Sequence, residues 1–229
     1  TNGKGSTCAM LDSVLRAAGY RVGLYSSPHL LRYNERVRVN GTLADDESLC
    51  MAFARVEAAR EGVPLTYFEF GTLAAWIIFA GSPLDALILE VGMGGRLDAV
   101  NALDADCAVI TSVAIDHTDY LGDTREKIGL EKAGILRAGR PAIVADPEPP
   151  ASVIEYAGAI GADLQRLGRD FGYVRDEGKW IFWGRRDRRE GLAHPALRGA
   201  HQLLNASACL AVLDALGERQ PVGMNDVRK

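Results

Sequence analysis

The run Asn2-Gly3-Lys4-Gly5-Ser6-Thr7 opens the chain and constrains its fold more than any other stretch. Glycines on both sides of a lysine let successive backbone N–H groups turn toward one anion, and the lysine adds a point charge. A helix opening directly behind the loop adds the positive end of its dipole. The pattern reads as a phosphate-binding loop for a nucleotide; taken alone it also fits a plain glycine-rich turn that opens a helix. A phosphate loop hangs from the end of a β-strand. The reading therefore implies an α/β sheet, a strand ahead of Thr1, and a chain that starts inside its own motif.

Composition permits such a domain. Of 229 residues, 48% are hydrophobic and 24% charged, enough to bury a sizeable core. The net charge of −4 argues against nucleic acid or an anionic membrane as the main partner. The basic run Arg185-Arg186-Asp187-Arg188-Arg189 is broken by an acid and reads as a solvated loop. Cys8, Cys50, Cys107 and Cys209 show no paired spacing, which fits reduced thiols in a cytoplasmic protein better than disulfides or a zinc site. No secretory signal and no membrane-length apolar run is visible.

Apolar strands alternate with helical stretches, the mark of an α/β domain with a mainly parallel sheet. Helices are predicted at 6–18 (stopped by Gly19), 45–60 (capped by Asp45), 68–80, 124–136 and 202–216, the last amphipathic. Asn225-Asp226 reads as the cap of one more. Strands are predicted at 21–25, 86–91, 107–113 and 141–145, with the second and third central in the sheet. Val37–Val39 followed by Asn40-Gly41 predicts a tight hairpin. Stretches 171–174 and 180–183 predict an antiparallel hairpin at the sheet's edge, and 26–36 a polar loop.

Four positions carry candidate chemistry. Gly5 stands where a common phosphate loop has a metal-binding hydroxyl, so a metal needs an oxygen from elsewhere. Glu90 ends an apolar strand, where open α/β sheets collect their ligands; it is either a metal ligand or a solvated carboxylate. His117, in Asp116-His117-Thr118-Asp119, belongs to the same edge; a loop histidine is more often a hydrogen-bonding residue than a ligand. Lys132 lies on a helix and by burial habit reads as a surface residue.

Seven stretches in order resemble one family. They are Thr1–Ser6, Ser26-Ser27-Pro28-His29-Leu30, Asn34–Val37, Thr66-Tyr67-Phe68-Glu69, Glu90–Ala99, Asp116–Gly122 and Glu131–Ile135. Together they resemble the bifunctional dihydrofolate synthase/folylpolyglutamate synthases of the Mur ligase superfamily. The resemblance implies a P-loop-type central domain over residues 1–229, truncated at both ends. It lacks the strand before the loop and a C-terminal glutamate-ligase domain, so these residues alone are expected to be nearly inactive.

The resemblance also implies roles. Thr1, Asn2, Gly3, Lys4, Gly5, Ser6 and Asn205 would bind ATP. Ser27, Glu90, His117 and Lys132 would hold Mg²⁺, two ions with Mn²⁺ as an alternative, Lys132 as a carbamate. Thr66, Tyr67, Phe68, Glu69, Leu97, Asp98 and Ala99 would contact the pteroate, although core packing of Tyr67 and Phe68 fits the sequence equally well. Lys4, His117 and Lys132 would serve catalysis. The implied substrates are dihydropteroate or a reduced folate plus L-glutamate, joined by a monomeric cytoplasmic ligase. The rivals are a P-loop kinase or NTPase whose turnover ignores glutamate, and a nucleotide-binding unit without catalysis.

Overall fold

In the computed structural model, which describes residues 2–196, 199 and 201–228, helix α1 (Lys4–Ala17) leads through Gly19 into β1 (Val22–Tyr25), buried along its whole length. β2 (Val37–Val39) and β3 (Thr42–Leu43) form the predicted hairpin. Asn40 and Gly41 both take positive φ (50° and 82°), as a type I′ turn requires. The Asp45 carboxylate accepts the Ser48 N–H at 2.7 Å and caps α2 (Asp46–Ala59). Helix α3 (Tyr67–Ala80) packs on α2, and β4 (Ala86–Leu89) then runs parallel to β1 with Gly23 opposite Leu87. The order of this sheet is β3-β2-β1-β4.

A second sheet is all parallel. β5 (Ala108–Ile110) is followed by the short α4 (Thr118–Leu121) and by α5 (Arg125–Ala133), which Thr124 caps. β6 (Pro141–Val144), α6 (Ala151–Ile160) and β7 (Asp163–Arg166) complete the order β5-β6-β7. Sequence reading misses α6 and β7. The helix is bracketed by Pro150 and by Gly161 in a left-handed conformation, the usual punctuation. β7 is Asp-Leu-Gln-Arg and has no apolar run to betray it.

Three expectations need correction. The hairpin β8 (Gly172–Asp176) and β9 (Lys179–Trp183) is not at the edge of the parallel sheet; it forms its own antiparallel sheet with β10 (Arg188–Ala193). The basic run feeding β10 is no solvated loop. Arg189 is buried, bonded to Asp187 at 2.7 Å and to the Val222 carbonyl, while Arg185 bridges Asp163 and Asp170. A guanidinium can bury its stem when carboxylates and carbonyls take its N–H groups. Helix α7 (Gln202–Ala215) is not amphipathic in use, being buried from Asn205 through Asp214 between α1, β6 and β8. Asn225 and Asp226 lie inside the short α8 (Met224–Val227), with Asp226 reaching back to the Gly223 N–H.

The largest core joins α1, β1, β6, α7 and the antiparallel sheet through Leu11, Leu24, Ile143, Phe182 and Leu210. The two strands predicted to be central, β4 and β5, each end a sheet and face one another across a cleft. Replacing Ile143, fully buried on β6, with Ala should cost about 2–5 kcal/mol. Urea unfolding would measure it, and a loss under about 1 kcal/mol would remove β6 from the core.

Candidate nucleotide and metal site

The glycine–lysine loop opens α1, and Glu90 follows β4 at the edge where β1 also ends. Gly3 takes φ 99° at the N-cap of α1, no side chain caps the helix, and no acid lies in its first turn. Its opening N–H groups are therefore available to an anion. The loop is pinned from two sides. The Asn2 carbonyl accepts hydrogen bonds from Thr111 Oγ1 (3.0 Å) and Ser112 Oγ (3.1 Å) just beyond β5. Asn205 of α7 lies against Gly3 so closely that a Cβ there would collide with its amide. Gln202 links Asn205 (3.1 Å) to the Ser6 hydroxyl (3.5 Å). The candidate nucleotide residues Asn2, Gly3, Lys4, Gly5, Ser6 and Asn205 thus form one neighbourhood; Thr1 lies outside the described residues.

Glu90 is buried, which rules out the solvated carboxylate. Parallel pairing of β1 and β4 dictates its place, because both strands end at the same edge. The Ser27 N–H donates to Glu90 Oε2 at 3.1 Å, and Gly5 faces both carboxylate oxygens from the phosphate loop. Burial raises the Glu90 pKa, and the Ser27 N–H and the Lys4 charge pull it back. A buried carboxylate with so little compensation favours a cation beside it.

Lys132 corrects the burial habit of lysines: it is 7% exposed. The Gly94-Gly95-Arg96 turn docks on the end of α5, with the Arg96 N–H on the Glu131 carbonyl at 2.8 Å, and Gly95 lies against the carbonyls of Glu131 and Lys132. Only a residue without a side chain permits that approach. Burial lowers the Lys132 pKa to about 8; the Lys4 charge pushes the same way and Asp116 opposes it. Lys4 also acts on Glu90 and Asp98, so its charge ties these groups together. His117 adopts a left-handed conformation (φ 52°) at the start of α4, with its ring half exposed and 3.7 Å from Asp116 Oδ2. Among the described residues no three His, Cys, Asp or Glu side chains are gathered for a metal. Lys4, Glu90 and Lys132 line one cleft, and the Ser27 N–H meets Glu90 beside it.

The proposed substrate segments divide. Thr66 and Glu69 form a capping box on α3, with the Thr66 N–H on Glu69 at 2.7 Å and the Glu69 N–H on Thr66 at 3.2 Å. Asp98 faces the backbone too: it accepts the N–H groups of Gly92, Met93 and Val100, each at 3.0 Å, and braces the turn after Glu90. Ala99 opens a 3-10 turn. Phe68 packs on Tyr25 and Gly92, whereas Tyr67 (63% exposed) and Leu97 (79%) remain open to a ligand.

Sequence reading missed the staples of the 26–36 loop. Glu35 accepts the N–H groups of Leu30, Leu31 and Arg32 at 2.9, 2.8 and 2.7 Å. Arg36 lies over the rings of Tyr33 and Tyr67 and donates to His29 Nδ1 at 2.8 Å. The acid three residues after Arg32 is a capping-box signal without its usual Ser or Thr. The four thiols are unpaired, and burial pushes Cys8, Cys107 and Cys209 up to about 12, leaving them inert.

Parallel strands whose carboxyl ends meet a glycine–lysine loop at the start of a helix define an α/β domain of the phosphate-loop class. Within that class the chain belongs to the Mur ligase family: residues 72–213 match the Mur ligase middle domain. It is 51% identical over 217 residues to the dihydrofolate synthase/folylpolyglutamate synthase of Escherichia coli K12, covering 95% of this chain and 50% of that protein. It superimposes on Escherichia coli FolC in complex with DHPP and ADP (TM-score 0.95, 50% identity, 100% of this chain and 54% of that one). It also matches a bifunctional folylpolyglutamate synthase/dihydrofolate synthase with Mn, AMPPNP and L-glutamate bound (TM-score 0.92, 46% identity, 100% and 54%). The chain spans about half the length of the relatives it matches. No helix among the described residues is long and apolar enough to cross a membrane.

The Glu35 carboxyl is held at about 2 by the three N–H groups it accepts. A carboxyl lowered in the fold stabilises it above the unfolded pKa and loses that contribution as pH falls through the folded value. Amide chemical shifts of Leu30, Leu31 and Arg32 should therefore hold to about pH 3 and move together near pH 2. Glu35→Gln should show the displaced shifts at every pH; unchanged shifts would free the loop from this staple. Asp98→Ala, which orphans the N–H groups of Gly92 and Met93, should lower stability by about 1–3 kcal/mol on urea unfolding.

Proposed function

We propose that the protein is an ATP-dependent ligase that joins L-glutamate to dihydropteroate, to the glutamate tail of a reduced folate, or to both. Residues 1–229 are its ATP-binding unit. The observation that carries this reading is Lys132, buried beside Lys4 and the Asp116–His117 segment. Simple phosphoryl transfer has no use for a second, deeply buried lysine. The relatives support the substrate classes, since one structure holds DHPP with ADP and another AMPPNP, Mn and L-glutamate. Four unpaired thiols suit a cytoplasmic enzyme.

The reaction needs two anions brought together. A substrate carboxylate oxygen attacks the γ-phosphorus of ATP, the bond to the β-phosphate oxygen breaks, and ADP leaves. The acyl phosphate is then attacked by the neutral amine of glutamate. The tetrahedral intermediate collapses with loss of phosphate, and the nitrogen gives up its proton. Lys4 and the N–H groups opening α1 hold the triphosphate and stabilise charge on the transferred group. Tyr67 and Leu97 offer apolar surface for the pterin.

The donor set fits a divalent cation on the strength of Glu90, buried and short of compensating charge. Ser27, Glu90, His117 and a Lys132 carbamate would hold one or two Mg²⁺ or Mn²⁺ ions, which when bound screen the carboxylate from the triphosphate. The lowered pKa of Lys132, to about 8, is consistent with the carbamate. Near pH 7 roughly a tenth of the amine is neutral, and that form takes up CO₂ and releases a proton.

Four measurements on the protein test the reading. ADP release should require glutamate together with dihydropteroate or tetrahydrofolate; release indifferent to glutamate would favour a kinase or NTPase. Lys132→Ala should lower kcat at least tenfold, with partial rescue by acetate, and wild-type rates would remove Lys132 from the site. His117→Ala should raise the metal concentration needed for half-maximal rate by about tenfold, against no change for a structural histidine. Glu90→Gln should depress turnover far more than ATP affinity.

A further inference from the structure

Asn101 lies three residues beyond Asp98, in the 3-10 turn Ala99–Ala102, with its side chain half-buried. Its Nδ2 donates to the Arg96 carbonyl and to the Gly134 carbonyl, each at 3.1 Å. Its Oδ1 accepts from Arg137 Nη2 at 3.0 Å, and its backbone carbonyl accepts from the same nitrogen at 2.9 Å. A carbonyl only accepts and a guanidinium only donates, so these partners fix which way the amide points. The amide nitrogen and oxygen are both committed. Aspartate has no N–H to offer two carbonyls, and glutamine carries its amide one carbon farther out.

These bonds join the turn at 92–96, which follows Glu90, to the end of α5, which carries Lys132. At the front of the turn Asp98 accepts the Gly92 and Met93 N–H groups. At its back the Arg96 N–H reaches the Glu131 carbonyl at 2.8 Å, while the Arg96 carbonyl is taken by Asn101. The fit is close on both sides. Gly95 lies against the Glu131 and Lys132 carbonyls, and a Cβ on Gly134 would collide with Arg96. Asn101 is thus bonded to both halves of the joint that buries Lys132. Arg137 backs it by donating to the Gly134 and Leu136 carbonyls at 3.3 and 3.2 Å, with Asp104 on its outer side at 2.6 Å.

We infer that Asn101 is a positioning residue: its amide latches the turn at 92–96 onto the end of α5 and so sets Lys132 in the cleft that Lys4 and Glu90 also line. With the latch removed the turn keeps its bonds to Asp98 but loses its grip on α5, and the cover over Lys132 opens. A group that holds a neighbouring group in place, without touching the reactants, acts on turnover through geometry. The phosphate loop is held elsewhere, by Thr111, Ser112 and Asn205, so nucleotide binding does not depend on the latch. The effect on turnover rests on the proposed ligase reading; the placement of Lys132 does not.

Lysine acetylation by a water-soluble N-hydroxysuccinimide ester in CO₂-free buffer, read by peptide mass spectrometry, reports the cover directly. Lys127 on the same helix, its side chain 65% exposed, is the internal reference. Asn101→Asp and the uncharged Asn101→Ala should each raise the ratio of Lys132 to Lys127 labelling by about tenfold. Asp104→Asn, which frees only the outer side of Arg137, should leave the ratio unchanged. Amide exchange at residues 141–144 is followed beside it and should stay slow. In turnover assays Asn101→Ala should lower kcat by about tenfold with the KM for ATP unchanged, and add nothing further to Lys132→Ala. An unchanged labelling ratio in both Asn101 variants would overturn the inference whatever the turnover. So would fast exchange at 141–144 in both, which marks plain unfolding, or a kcat loss that persists in full beside Lys132→Ala. ADP release that ignores glutamate in the unsubstituted protein would sink the ligase reading alone, with the labelling ratio still deciding the latch.

Discussion

Charge held out of water at one edge of the sheet is the condition that the rest of the site answers. Lys4, Glu90 and Lys132 are all buried or partly buried, and Lys4 acts electrostatically on the other two. Isolated charges in such surroundings are costly. The burial that raises Glu90 and lowers Lys132 moves both toward neutrality. Under the proposed function, a triphosphate and a cation would supply opposite charges to this arrangement. Pre-placed charge of this kind is what lets a site act on a developing transition state without reorganising.

Such a site needs loops that do not relax, and the fold meets this need with carboxylates aimed at backbone N–H groups. Glu35 holds three consecutive N–H groups of the loop after Ser27. Asp98 holds the glycine turn that follows Glu90. Asp146, itself buried and paired with Arg125, accepts the Val113 N–H at 2.7 Å and fixes the segment leading to His117. Each acid stands in for the ladder partner that a loop lacks. Ser27, Glu90 and His117 thus gain the support of neighbouring backbone although they sit on loops.

Local signals were legible where the physics is local. Asp45, Asn40-Gly41 and the apolar runs of β1 and β6 announced a cap, a turn and strands, and the structure has them there. Elements with weak patterns escaped, such as the polar β7. Misjudged too were residues whose partners come from afar. Arg189 looks solvated until Asp187 and Val222 enclose it, and Lys132 looks exposed until Gly95 closes over it. In the stretch 66–69, which resembles a family motif, Thr66 and Glu69 cap α3, a role that a family motif does not reveal.

The sequence by itself determined the phosphate loop, the alternation of strands and helices, and the chemical types available at the strand ends, because spacing and propensity reside within a few neighbouring residues. Tertiary structure alone decided which groups are buried together. Parallel pairing brings Ser27 beside Glu90, and packing of the Gly94–Arg96 turn against α5 buries Lys132. A pKa, a cleft and a shared field depend on distances through space, and those exist only once the sheets have formed.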